Sequence, residues 1–430
     1  MKNLLWIVIA TTTIFAQSIC IDAGHGGSDP GAVGWGLQEK TINLDVSQRL
    51  YNLMRQSGWK AYLVRSSDKT VSLSGRTSYA NSLGVKRFVS IHCNAFNKSA
   101  NGTETFAYTK GSSTSFSMRN SVHPRLVRAM RTKDRGTKTA NFYVIKHTNM
   151  PAILCELAFI DEKSDSSKLG DSYYRQKAAE AIHAGIVSTL TALDEEIRTS
   201  DSYMAPKWSP DGTALLITHP GYNGVRVMKM DDYSIHNVSS ANTYNAKWIS
   251  SHEIVCGAKD ETKLLDTVTG KTVSTFAGLD MPIAVVKDGT LTVAEHVISL
   301  ENDVIFNAVA SPDNKFVAYE SLKNGIHVVN VESGKSVRIG QGNNPAWMPD
   351  STGIVFDRAL DNGHEITQSN IFLASVDGQN VVNLTQNLSL IAQRPSVSPD
   401  GQKIAFDAQG SIFIAAFAEQ KIQQILQVTK

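Results

Sequence analysis

One pattern recurs through the second half of the chain and leaves few architectures open to it. Five segments repeat the same design: "APKWSPDGTALLIT" (205–218), "NAKWISSHEIVCGA" (245–258), "NAVASPDNKFVAYE" (307–320), "NPAWMPDSTGIVFD" (344–357) and "RPSVSPDGQKIAFD" (394–407). Each has an apolar residue, a turn of the Ser-Pro-Asp-Gly type, then an alternating strand. Pro pre-sets the turn's first dihedral, and Asp and Gly tolerate its later ones. Taking the residue before each turn as a marker (Trp208, Trp248, Val286, Ala310, Trp347, Val397), the spacings are 40, 38, 24, 37 and 50. Units near 40 residues with four strands each make a β-propeller. The interval of 24 is too short for four strands, so the spacing predicts five good blades and one degenerate blade around "VVKDGTLTVAEHVISLENDVIF".

The propeller would occupy 205–430, and the chain before it reads differently. Strand-like runs appear at 19–23, 60–65, 87–92, 103–108, 141–145 and 152–156. Helical stretches lie between them, notably "LQEKTINLDVSQRLYNLMRQ" with Ile42, Val46, Leu50 and Leu53 on one face, and "RQKAAEAIHAGIVSTLTAL". This alternation predicts an α/β domain with a mainly parallel sheet over 19–198, joined through a linker at 199–204 to the all-β propeller of five to six blades. Charge divides at the same place. Residues 19–198 hold 24 Lys+Arg against 16 Asp+Glu, net +8, and residues 199–430 hold 17 against 24, net −7. A basic first unit suits an anionic partner.

Residues 1–18, "MKNLLWIVIATTTIFAQS", pair an early Lys2 with a short apolar run and small residues near Ala16 and Ser18, the pattern of a secretory signal peptide. The run is too short to span a bilayer as a mature helix. The expectation is an exported protein, periplasmic or secreted, without a transmembrane segment and without nucleic acid as a partner. Four cysteines, Cys20, Cys93, Cys155 and Cys256, do not make a disulfide scaffold in a chain of 430 residues. Three of the four sit in apolar strand-like runs and read as small buried hydrophobes.

The chemistry concentrates in "ICIDAGHGGSDPGAVG", where an apolar strand runs into a glycine-rich loop carrying His25. Three further groups stand at or just beyond predicted element ends: Glu39 opening a helix, His92 ending "RFVSIH" and Glu156 ending "AILCE". A parallel sheet gathers such positions at the carboxyl ends of its strands. Two imidazoles and a carboxylate suit a catalytic zinc that keeps a fourth position open, and the remaining carboxylate is then a general-base candidate. No G-x-S-x-G elbow accompanies the "HGG", which removes a serine hydrolase. "HEIVC" and "HEITQ" both lack the second histidine of an H-E-x-x-H helix. His123, His147 and His183 read as surface or packing residues. Strand alternation turns Cys93 away from His92, and Cys155 away from Glu156.

Residues 19–190 resemble the zinc-dependent N-acetylmuramoyl-L-alanine amidases of the Amidase_3 family. The matching pieces are "IDAGHGGSDPGAVG", the Glu of "LQEKTINLDVSQRL", "LVRSSDKTVSLSGRTSYAN", "FVSIHCNAF", "TETFAY", "DRGTKTANFYVIKHTNMPAILCELAFI" and "YYRQKAAEAIHAGI". The resemblance implies Zn2+ bound by His25, Glu39 and His92, with Glu156 as the catalytic glutamate. It also implies hydrolysis of the peptidoglycan amide between N-acetylmuramic acid and L-alanine. Ala158 stands where the family usually has Gly, and an Asn usual shortly afterwards is absent from "FIDEKSD". Some relatives insert an autoinhibitory helix between the His92 and "DRG" segments. This chain has only "HPRLVRAMR" there, so an uncapped site is expected. The repeats resemble the TolB-like propeller over about residues 203–430, which implies an interaction role such as binding an envelope protein. Two other readings compete: an inactive wall-binding scaffold whose propeller recruits an envelope protein, and an exported zinc peptidase for another amide.

Overall fold

The structure, a computed structural model, describes residues 17–189, 202–242, 246–258, 261–276 and 284–429. The predicted leader lies outside the described residues except at its end, where Ser18 already begins the first strand. The predicted linker is described only from Ser202.

The main sheet of the first unit is built from six strands: β1 (Ser18–Ala23), β2 (Lys60–Leu63), β3 (Arg87–Asn94), β4 (Thr103–Tyr108), β5 (Asp134–Ala140) and β6 (Ala152–Phe159). They form one sheet in the order β2-β1-β3-β6-β4-β5. Every neighbouring pair is parallel except β6 with β4. Six helices accompany the sheet: α1 (Glu39–Gln56), α2 (Leu73–Ser82), α3 (Ser113–Met130), α4 (Tyr143–His147), α5 (Lys163–Gly170) and α6 (Ser172–Val187).

The two faces of the sheet have different covers. On one, Ile19, Ile21, Val89, Ile91 and Ile153 pack with α1, α3 and α6. Helix α1 buries Ile42, Val46, Leu50 and Met54, a four-residue repeat that puts one stripe on the sheet. Cys93 and Cys155 join this face, as strand alternation predicted, and are fully buried free thiols. On the other face, Cys20, Phe88 and Leu154 meet α2, α4 and the propeller side chains Phe306, Leu322 and Ile366. The propeller therefore completes the core of the sheet domain.

That shared core explains where the structure departs from expectation. Segment 141–145 was expected as a strand; the strand is instead Asp134–Ala140, and the apolar residues after it open α4. Their apolarity serves burial between two domains, since Tyr143 Oη bonds Gln393 (3.3 Å) and Arg394 (3.1 Å) of the propeller. Helix α2, "LSGRTSYANS", has no polar face because residues 73–81 are all buried, with the propeller covering its outer side. Helix α3 begins ten residues before "HPRLVRAMR", where the Ser112 side chain accepts the Ser115 N–H as its cap. A serine-rich first turn of this kind reads as a loop in sequence.

The second unit is a propeller-like ring of six small antiparallel sheets. Among the described residues, five have four strands, and the sheet Ala284–Lys287, Thr290–Val293, His296–Ile298 has three. This is the degenerate blade. The ring closes where Trp208 N–H donates to Ser396 Oγ (3.2 Å) and Ala205 N–H to Asp407 (2.9 Å). Three of the five repeated turns share one chemistry: Ser209, Ser311 and Ser398 each donate to the Asp two residues on, and each accepts a backbone N–H five residues on.

Two carboxyls are buried where neighbouring blades meet. Burial pushes Glu320 up to about 7, against hydrogen bonds from Asn307, Asn343 and the Asn344 N–H and beside the charge of Asp357. Burial pushes Asp357 up to about 6, against Arg394 and Asn344 and beside Asp407. The native propeller thus holds protons that the unfolded chain releases, so the contribution of Glu320 to stability is full below its ordinary 4.5 and is lost as pH rises through about 7. Melting temperatures of wild type and Glu320→Gln should therefore diverge in favour of the variant between about pH 5 and pH 8. A constant difference across that range would contradict the assignment.

Candidate metal centre

The site lies at the carboxyl ends of β1, β3 and β6. Strand β1 delivers the chain through Gly24 to His25, whose φ of 60° turns the loop back over the strand ends. Gly24 has no tolerance for a side chain, since a Cβ there would stand 2.3 Å from the His92 ring. His25 Nδ1 is paired with Asp29 Oδ2 at 2.7 Å, which holds the imidazole and leaves Nε2 facing inward. That Nε2 is buried and makes no hydrogen bond, though Glu39 Oε1 is 3.3 Å away. Glu39, the first residue of α1, is anchored at both oxygens: Oε1 lies 3.0 Å from His92 Nδ1 and accepts from Cys93 N–H, and Oε2 accepts from Ala32 N–H.

Glu156 is the register partner of His92 across β3 and β6, and of Glu104 across β6 and β4. Its Oε2 is buried without a hydrogen bond. Burial, reinforced by the charges of Glu39 and Glu104, holds its carboxyl well above the usual range. Glu39 goes the other way. Burial alone would raise it, and hydrogen bonds and charge from His25 and His92 bring it well below. Two neighbouring carboxyls thus have opposite protonation tendencies, the arrangement acid–base chemistry uses. Two imidazoles and an anchored carboxylate converge with an unpaired inward nitrogen, and this donor set fits a zinc ion.

All four residues singled out in sequence, His25, Glu39, His92 and Glu156, line one cavity of about 300 Å³ or pack directly against it. Residues 19–188 match the N-acetylmuramoyl-L-alanine amidase family, Amidase_3. The uncharacterized protein YqiI of Bacillus subtilis (strain 168) is 42% identical over 180 residues, which cover 42% of this chain and 87% of YqiI. The chain belongs to the N-acetylmuramoyl-L-alanine amidase family. The N-acetylmuramoyl-L-alanine amidase LytC of the same organism is 44% identical over 41% of this chain and 36% of LytC, so the match spans about a third of that relative's length. A solved structure, the catalytic domain of the amidase CwlV from Bacillus (Paenibacillus) polymyxa var. colistinus, is 34% identical over 40% of this chain and 98% of that one, with a TM-score of 0.39.

The expectation of an uncapped amidase site is overturned. Helix α3, which fills the interval where a capping helix was sought, packs on the far face of the sheet with Met118, Val122, Leu126 and Met130 in the core. The cover comes from the propeller instead. In the fifth blade the strands Gly353–Asp361 and Ile366–Ser375 form a hairpin whose tip places Asn362 and His364 in the lining of the cavity. The His364 ring is 4.8 Å from that of His92 and 6.1 Å from that of His25, centre to centre.

Several residues of the amidase domain escaped the sequence reading. Arg65 and Arg76, both buried, bind the glycine loop from below: Arg65 donates to the carbonyls of Ala23, Gly24 and Lys40, and Arg76 to those of Ala23 and His25 and to Asp22. Glu104 is paired with Arg135 and Lys138 beside Glu156. Their segments were recognised, but which side chain turns inward depends on the packed sheet. His123 pairs with Asp134 (2.8 Å), and His147 stacks on Tyr143. Both serve structure, as predicted.

Proposed function

We propose that this chain is an exported cell-wall hydrolase, a zinc-dependent N-acetylmuramoyl-L-alanine amidase that cuts the amide between N-acetylmuramic acid and L-alanine in peptidoglycan. The observation that carries it is the convergence of His25, Glu39 and His92 with a buried Glu156 whose Oε2 is unpaired, in a chain of this family. Export is supported by the leader-like first 18 residues. The net +8 of the amidase half suits an anionic polymer.

His25, Glu39 and His92 would hold the zinc ion, with Asp29 fixing the His25 ring from behind. Zinc in such a site supplies Lewis acidity toward an amide carbonyl and lowers the pKa of water to about 7. Glu156 then takes the proton of the attacking water at its unpartnered Oε2 and returns it to the nitrogen of the departing L-alanine. Its raised proton affinity suits the second transfer.

The test is mass spectrometry of peptidoglycan after incubation with the zinc-loaded chain. Free stem peptides beginning at L-alanine, beside peptide-free glycan, are the expected products. Their absence from every zinc-loaded variant, the hairpin variants below included, would favour the wall-binding scaffold; cleavage elsewhere in the stem would favour a peptidase.

A further inference from the structure

Among the described residues, one group of side chains is arranged to hold a metal ion with atoms of three residues: His25, His92 and His364, all within 4.8 Å of one another. His364 belongs to the propeller. We propose that it is a further protein ligand of the amidase metal, completing with His25, Glu39 and His92 a closed four-ligand site. The inference rests on the zinc reading above and deepens it into a statement about regulation: with its hairpin docked, the amidase is latent.

Four observations carry it. First, His364 Nδ1 is buried and makes no hydrogen bond, like His25 Nε2. A buried imidazole nitrogen left unpaired beside two others has a strong reason to bind a cation, since desolvation without a partner is costly. Second, the tip is prepared for this position. Asn362 accepts the N–H groups of His364 and Glu365, Asp361 accepts that of Gly363, and the His364 carbonyl receives Tyr143 N–H of the amidase domain at 2.7 Å. The His364 ring is also stacked on Phe142 at 4.7 Å. Third, the approach is so close that only glycine fits beside the imidazole: Gly363 has φ +89°, and a Cβ on it would lie 2.3 Å from His25 Cε1. Fourth, this hairpin is built long. Its strands of 9 and 10 residues exceed every other described propeller strand, and the repeat interval across this blade is 50 where the regular ones are 37 to 40.

The consequence follows from coordination number. Zinc with four protein ligands behaves as a structural centre, and zinc with three keeps a position for water and substrate. Docked, His364 takes that position and the tip walls one side of the cavity that reaches Glu156. Withdrawal of the hairpin, by a partner that pulls on the propeller or by a competing substrate, would open both.

X-ray absorption of the zinc-loaded full chain counts the imidazoles on the metal. Three are expected in the wild type and two in both His364→Ala and Gly363→Ala, the second variant keeping the imidazole while its new Cβ pushes the tip away from His25. Chelator competition should show His364→Ala holding zinc about tenfold more weakly, and stem-peptide release should rise at least about tenfold. Two imidazoles in the wild type, or three retained in His364→Ala, would overturn the ligand assignment while leaving the zinc reading intact. Failure of the chain to take up zinc at all, or a metal site indifferent to His25→Ala, would overturn the zinc reading itself. A changed count with an unchanged rate of release would overturn the closure.

Discussion

Glu156→Gln in the zinc-loaded chain is expected to lower stem-peptide release by about 10²- to 10⁴-fold, the usual worth of a positioned general acid–base, while leaving bound zinc unchanged. The substitution keeps shape and removes the ability to accept and return a proton. Glu156 is the register partner of His92 on the neighbouring strand, with Oε2 unpaired. Neighbouring negative charge from Glu39 and Glu104 adds to burial in favouring its protonated form, so a neutral amide there should not disturb the fold. The comparison is best made in the His364→Ala background, where the entrance is open. Zinc loss in the variant would make Glu156 a ligand and send the general-base role elsewhere.

Arg76→Met carries the largest expected cost in stability, about 3–5 kcal/mol, because it strips one partner from a buried ion pair. Arg76 is 4% exposed and Asp22 0%. The guanidinium donates to Asp22 Oδ1 at 2.7 Å and to the carbonyls of Ala23, His25 and Val71. Without it Asp22 keeps only the Ser90 hydroxyl among these partners, and the His25 carbonyl loses its anchor. Urea unfolding measures the stability and chelator competition the metal, and both should fall together. Adding Asp22→Asn should restore part of the stability and little of the zinc affinity, since the loop stays unanchored. A loss below about 1 kcal/mol would mean that the pair is dispensable.

The propeller was legible for a local reason. Its Ser-Pro-Asp turns satisfy themselves within six residues, so each blade writes its signature into a short stretch of chain. Even the weak blade showed, because a 24-residue interval cannot supply four strands. The amidase site was legible because the carboxyl ends of parallel strands gather whatever side chains stand there. His25, His92 and Glu156 meet for that reason, and Glu39 joins them from the first residue of α1. Helix α2 and segment 141–145 were not legible, because their burial comes from a second domain docked on the first, which erased the polar face of one and mimicked a strand in the other.

His364 shows the boundary most sharply. Within "HEITQ" it lacks the second histidine of an H-E-x-x-H helix, and the two histidines it meets, His25 and His92, stand more than 270 positions before it. The one trace was an interval of 50 residues where the repeat asks for about 40, the extra length of the hairpin. The sequence by itself determined the change from strand–helix alternation to repeated short strands and a ring of five to six repeats, since each follows from short-range periodicity and turn chemistry. Only the tertiary structure decided that the propeller covers the open face of the sheet and sends a histidine into the amidase site. That contact joins residues more than 270 positions apart, and no local pattern encodes the docking of two finished surfaces.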